Sequence, residues 1–75
     1  MIKENNKVLI CISSPPDREK LVAEIFINNE QFAELNQESN ELEFEIYPKR
    51  DGSPWGVTYN EILSLIQDAK LKLLG

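Results

Sequence analysis

The chain has 75 residues, of which 41% are hydrophobic and 28% are charged, and its formal net charge is −5. This composition predicts one folded domain, residues 1–75, rather than a disordered chain. The acidic balance argues against nucleic-acid binding. The absence of histidine and the single cysteine argue against a metal site, a catalytic centre and an internal disulfide. We therefore expect no enzymatic activity and no cofactor.

The N-terminus and the apolar runs of the chain bear on its location. Residues 1–6 are polar and of mixed charge, unlike the basic start and apolar stretch of a signal peptide. The longest uninterrupted apolar run, residues 8–12, is far shorter than the roughly 20 residues that cross a membrane. The sequence therefore predicts a cytoplasmic protein with no membrane partner.

The run from Lys7 to Ser13 predicts the first β-strand, because it is short and rich in β-branched residues. The segment Ser-Ser-Pro-Pro-Asp at 13–17 ends it. Its nearly continuous apolar character predicts that both faces are covered. Cys11 lies in this run and is interpreted as a small buried hydrophobic residue, with a reactive thiol as the alternative.

Residues 17–37 fit two patterns. The prolines before Asp17 and apolar pairs four residues apart suit a helix. Alternation through 21–27 and 32–35, around a three-residue loop at 28–30, instead predicts the two strands of a hairpin. We prefer the two strands and keep the helix as the alternative.

Residues 42–47, Leu-Glu-Phe-Glu-Ile-Tyr, alternate strictly and predict a half-buried antiparallel strand. Pro48 ends this strand, and Asp-Gly-Ser-Pro at 51–54 is a turn sequence. Trp55, the only tryptophan, follows. Two roles are open for Trp55: it seals one end of the core, or it forms an exposed hot spot with Arg50.

The last segment predicts an amphipathic helix. Thr58 and Glu61 have the spacing of a capping box, in which each side chain bonds the other residue's backbone amide. Apolar residues then recur at helical spacing, namely Ile62, Leu65, Ile66, Ala69 and Leu73. The fold class that follows is α+β, an antiparallel β-meander of three or four strands with one C-terminal helix packed on its apolar face.

The face of the sheet away from this helix is predicted to be acidic and aromatic. Between Glu24 and Glu45 there are seven acidic residues and no lysine or arginine. The candidate partner-binding residues are Glu24, Phe26, Phe32, Glu34, Glu43, Glu45 and Tyr47 on this face, with Arg50 and Trp55 from the following loop. Such a face suits docking of a basic protein. The alternative is a solvated face whose charges keep strand edges from pairing.

Four segments carry a resemblance: Leu-Val-Ala-Glu-Ile at 21–25, Phe-Ala-Glu-Leu at 32–35, residues 42–48, and Asp-Gly-Ser-Pro-Trp at 51–55. Together, over residues 17–74, they resemble small acidic bacterial proteins, the immunity proteins of polymorphic and contact-dependent toxin systems. The resemblance implies the strand interpretation, and it implies a function in which the chain binds a cognate toxin domain and blocks it. The alternative function is a small structural subunit that forms a homodimer through its sheet.

Overall fold

The computed structural model describes residues 6–75, so residues 1–5, which bear on the signal-peptide prediction, lie outside it. The described elements are β1 (Val8–Ser13), β2 (Val22–Ile27), β3 (Glu30–Asn36), β4 (Glu43–Ile46) and α1 (Tyr59–Leu74). The strands form one antiparallel sheet in the order β1-β2-β3-β4, with β1 and β4 at its edges. This confirms the predicted α+β meander with a C-terminal helix. The helical alternative for residues 17–37 is wrong.

The β2–β3 hairpin turns more tightly than its sequence predicts. Asn28 and Asn29 have positive φ angles of 53° and 71°, and Ile27 pairs directly with Glu30. Left-handed backbone at two successive residues is the geometry of a two-residue hairpin turn, and asparagine tolerates it well. The predicted loop of three residues is therefore one residue too long.

A β-bulge in β3 follows this turn. Ile25 pairs with Ala33, whereas the next residue, Phe26, pairs with Gln31, so Phe32 is the extra residue. The bulge interrupts the alternation, and Phe32 and Ala33 are both buried in the same core. The prediction that Phe32 lies on the outer face is therefore wrong. The extra residue also compensates for the shorter turn, so the rest of β3 keeps its predicted faces.

The core lies between the sheet and α1, on what we call the inner face. Its buried members are Ala23, Ile25, Ile27, Phe32, Ala33, Leu35, Leu65 and Ala69. The helix packs on β1 and β2. Beyond the helix, Trp55 and Phe44 extend the core through edge-to-face contacts with Phe32, at centroid distances of 5.1 Å and 6.5 Å. Burial of each large apolar side chain stabilises the fold by about 1.5–3 kcal/mol.

Helix α1 begins at the predicted capping box. The Thr58 hydroxyl accepts a hydrogen bond from the Glu61 amide at 3.1 Å, and the Glu61 carboxylate accepts one from the Thr58 amide at 2.9 Å. The side-chain amide of Asn6 donates to the same carboxylate and to the Gly56 carbonyl, each at 3.0 Å. The hydrogen bonds from Thr58 and Asn6 hold the pKa of Glu61 below its usual value. The cap therefore ties the helix to the chain just before β1.

The two edge strands are less covered than predicted. Leu9 and Ile12 of β1 are 52% and 40% exposed, so the prediction that both faces of this strand are covered is wrong. Ile46 of β4 is on the inner face but is 59% exposed. Leu9 is exposed because it lies on the face away from α1 at the edge of the sheet. Ile46 is exposed because α1 lies over β1 and β2 and leaves the far end of β4 uncovered.

Candidate functional site

The outer face of the sheet, opposite α1, carries a row of three carboxylates. Glu24 on β2 lies directly opposite Glu34 on β3, and Glu34 lies opposite Glu45 on β4. Like charges in directly opposite positions on one face of a sheet destabilise it. A row of this kind therefore needs a nearby cation.

Arg18 supplies that cation from the connection between β1 and β2. One guanidinium nitrogen lies 2.8 Å from a carboxylate oxygen of Glu34 and 3.0 Å from one of Glu45. The side chains of Arg18 and Glu34 are only 20% and 8% exposed, so the pair is largely screened from water. The connection therefore lies across the outer face. The acidic run from Glu24 to Glu45 contains no lysine or arginine, but the fold brings Arg18 to it from outside the run.

The charge state of Arg18 follows from these contacts. Desolvation by itself lowers the pKa of its guanidinium. The hydrogen bond with Glu45 and the negative charges of Glu34 and Glu45 act in the opposite direction, and the pKa is raised overall. Arg18 is therefore a permanent positive charge inside the row of carboxylates.

Tyr47 completes this cluster at the β4 side. Its hydroxyl donates a hydrogen bond to the Glu45 carboxylate at 3.4 Å. Burial, followed by the negative charges of Glu34 and Glu45, raises the pKa of the Tyr47 phenol above its ordinary value. The phenol therefore stays neutral and acts as a hydrogen-bond donor at neutral pH.

Polar contacts hold the β1–β2 connection down at its end. The side-chain amide of Gln37 donates to the Leu21 carbonyl at 3.0 Å, and the Lys20 amide donates to the Glu38 carboxylate at 3.3 Å. Val22, which has its side chain on the outer face, is fully buried. The outer face is therefore partly closed by the connection, and only the remainder is open to a partner.

The open part of the outer face combines acidic and apolar groups. Glu43 is exposed and Glu24 is half-buried, and neither forms an ion pair with any residue of the described range 6–75. Phe26 is half-buried and lies opposite Leu9 of β1. One guanidinium against the three carboxylates of the row leaves a net negative charge beside this apolar pair.

Trp55 and Arg50 do not share a contact surface with this face. The Trp55 indole donates to the Tyr47 carbonyl at 2.8 Å, and its ring packs edge-to-face on Phe32. Of the two roles predicted for Trp55, these contacts support the sealing of one end of the core. Arg50 is instead held beside Glu30, to which its backbone amide donates, and its side chain is 80% exposed.

The structure thus sorts the candidate residues into three groups. Those that meet on the outer face are Glu24, Phe26, Glu34, Glu43, Glu45 and Tyr47; those in or against the core are Phe32 and Trp55; and Arg50 lies in the loop after β4. Arg18 and Leu9 are the residues that sequence reasoning missed. One feature of the sequence could have indicated the role of Arg18. It is a cation that follows the two prolines after β1 and precedes the acidic run by a few residues.

Comparisons with protein-family models, curated protein sequences and solved structures find no match to this chain. Within residues 6–75, no helix has the length and apolar character needed to cross a membrane.

Proposed function

We propose that this chain is an immunity-type protein, which binds a basic toxin domain through the outer face of its sheet and thereby neutralises the toxin. The observation that carries the proposal is the row formed by Glu24, Glu34 and Glu45, which a single guanidinium balances only in part. A concentrated negative potential accelerates encounter with a basic partner and disfavours acidic ones.

The contact surface combines the residue types that protein interfaces use. Phe26 and Leu9 form an apolar centre, and Glu24 and Glu43 lie beside it. Interfaces concentrate binding energy in buried aromatic residues and use surrounding charge for steering and specificity. Arg18 lies beside this surface and bridges Glu34 and Glu45, so it offsets the repulsion between these two carboxylates.

Neutralisation follows from where such a partner carries its positive charge. A toxin that acts on nucleic acid needs a basic surface to hold the phosphate backbone of its substrate. An acidic inhibitor is attracted to that same surface, and once bound it excludes the substrate. This mode of action requires no catalytic residue in the inhibitor, and we place it in the cytoplasm.

The proposal is tested with the protein encoded immediately upstream of this chain's gene, purified in an inactive form. We expect a complex whose affinity falls as salt concentration rises, measured by isothermal titration calorimetry. Glu24→Lys and Glu43→Lys should each weaken the complex. Gln67→Lys is the control, because it also introduces a lysine, but at an exposed position of α1, on the other side of the sheet.

Three results would contradict the proposal: no complex with the upstream product, an equal loss of affinity in all three variants, or an affinity that does not respond to salt. A parallel growth assay measures protection directly. Cells that express the active upstream product should survive with the wild-type chain or with Gln67→Lys, and should lose protection with Glu24→Lys and Glu43→Lys combined.

A further inference from the structure

Strand β1 is an edge strand without the features that usually protect an edge. Its six residues, Val-Leu-Ile-Cys-Ile-Ser, include no charged residue and no proline. Val8, Leu9 and Ile12 are all exposed. Sheet edges are normally guarded by charges, prolines, bulges or very short strands, and an unguarded apolar edge is a surface for pairing with another strand.

The register of β1 shows which of its backbone groups point away from β2. Val8 lies opposite Ile27, and the Asn28 amide donates to the Lys7 carbonyl at 2.8 Å. In an antiparallel ladder, this bond makes Val8 and Ile27 a non-hydrogen-bonded pair, and the two pair types then alternate along the strand. The N–H and C=O groups of residues 8, 10 and 12 therefore point to the open edge.

We propose that β1 pairs antiparallel with β1 of a second copy of this chain, about a two-fold axis at Ile10. In this register Ile10 faces Ile10 of the second copy, and Val8 faces Ile12. Every outward-pointing residue of the strand then enters a hydrogen-bonded pair, and the two four-stranded sheets become one continuous sheet. On the outer face Leu9 lies against Cys11 of the second copy.

The surroundings of β1 favour a second copy over a different partner. The groove between β1 and α1 is lined by Asp68, Leu71 and Lys72 on the helix side, and Leu71 is 63% exposed. A two-fold contact matches a surface with itself. Each copy brings one acidic and one basic side chain, Asp68 and Lys72, to this groove. The groove therefore carries no net charge, and two copies of it do not repel each other.

The distribution of the other charges is also compatible with self-association. The acidic run from Glu24 to Glu45 belongs to β2, β3, β4 and their connections. Most of these acidic residues therefore lie on or near β3 and β4, far from the proposed axis at β1. Two copies of net charge −5 can therefore meet at their uncharged strands. This inference does not rest on the proposed function, since it concerns the edge of the sheet and uses the purified chain alone.

Sedimentation velocity over a concentration series tests the proposal, with one substitution made at each edge of the sheet. We expect the wild-type chain to shift from monomer to dimer as concentration rises, and Ile12→Lys to stay monomeric. Ile46→Lys is the matched control, because it makes the same change at an exposed inner-face isoleucine of the opposite edge. It should dimerise as the wild type does.

Three outcomes would overturn the inference: a wild-type chain that is monomeric throughout, an Ile12→Lys variant that still dimerises, or an Ile46→Lys variant that dissociates equally. Circular dichroism of each variant establishes that it is folded. A monomeric wild-type chain would also mean that any strand bound at β1 belongs to a different protein.

Disulfide trapping tests the register without disturbing the fold. Leu9→Cys places a thiol opposite Cys11 of the second copy in a non-hydrogen-bonded pair, where Cα atoms are about 4.5 Å apart, within the range a disulfide spans. Mild oxidation should then give covalent dimers much faster than in the wild type, whose Cys11 faces Leu9 instead. Equal rates in the two proteins would show that the register is wrong.

Discussion

The two faces of the sheet are closed by different kinds of interaction. The inner face is closed by apolar contacts with α1 and Trp55, which are non-directional and depend little on salt or pH. The outer face is closed by Arg18 and by polar contacts of the β1–β2 connection, which depend on both. We infer from this difference that stability resides chiefly on the inner face, and that the outer face can be altered with less damage to the fold.

The largest expected effect is on the inner face. Phe32→Ala removes a ring that is only 4% exposed and contacts both Trp55 and Phe44, so it should lower the free energy of unfolding by about 3–5 kcal/mol. The matched control is Phe26→Ala on the outer face, where the ring is half-buried. Urea denaturation of both variants measures the difference. Equal losses would contradict the distinction between the two faces.

A smaller effect is expected when the charge that closes the outer face is removed. Arg18→Gln leaves Glu34 and Glu45 without their cation, and it should lower the thermal unfolding midpoint less than Phe32→Ala does. The loss should shrink at high salt, because salt screens both the ion pairs and the repulsion between the carboxylates.

The control for this prediction is Lys20→Gln in the same connection, whose ammonium group forms no ion pair with residues 6–75. This variant should keep the midpoint of the wild type. If Arg18→Gln loses as much stability at high salt as at low salt, the outer face is not closed by charge.

A third effect concerns the start of the helix that covers the inner face. Thr58→Ala removes the hydroxyl that accepts the Glu61 amide and should cost about 1 kcal/mol of unfolding free energy. Thr58→Ser keeps the acceptor and should retain most of that stability. Guanidinium denaturation followed by circular dichroism distinguishes the two variants, and an equal loss in both would exclude the cap as the cause.

The smallest effect is a change of titration rather than of fold. Burial and the charges of Glu34 and Glu45 raise the pKa of Tyr47 above the ordinary value of about 10. The folded state therefore holds this proton more tightly than the unfolded state does. The resulting stability is fully present below the unfolded pKa and is lost as pH rises through the folded one.

Ultraviolet absorbance of the Tyr59→Phe variant reports this titration, since Tyr47 is then the only tyrosine. Adding Glu45→Gln removes one of the causes and should move the midpoint back toward the ordinary value. A midpoint at or below that value in the Tyr59→Phe variant would contradict the outer-face cluster around Tyr47.

The sequence predicts the parts of this fold that depend on local patterns. The capping box of α1, the alternation of β4 and the hairpin within residues 21–36 all arise from neighbours within a few residues. The sequence does not predict the contacts between residues that are far apart along the chain. Arg18 meets Glu45 across 27 positions, and no local periodicity indicates on which face the connection will lie.

The errors within the candidate site have the same origin. Alternation counted from a three-residue loop predicts Phe32 on the outer face. The shorter turn and the bulge, which place it in the core, leave no trace in the hydrophobic pattern of β3. The predicted cover on both faces of β1 failed because position in the sheet, not composition, decides which strand is an edge. The predicted outer-face position of Glu34 is correct because the shorter turn and the bulge offset each other.

That offset has a consequence for how this sequence can change over evolutionary time. The face on which each residue of β3 lies depends on the number of residues in the turn at 28–29 together with the extra residue at 32. A one-residue insertion in the turn would be tolerated if the bulge were lost at the same time. In homologous chains, single-residue gaps at these two places should therefore occur together and with opposite sign.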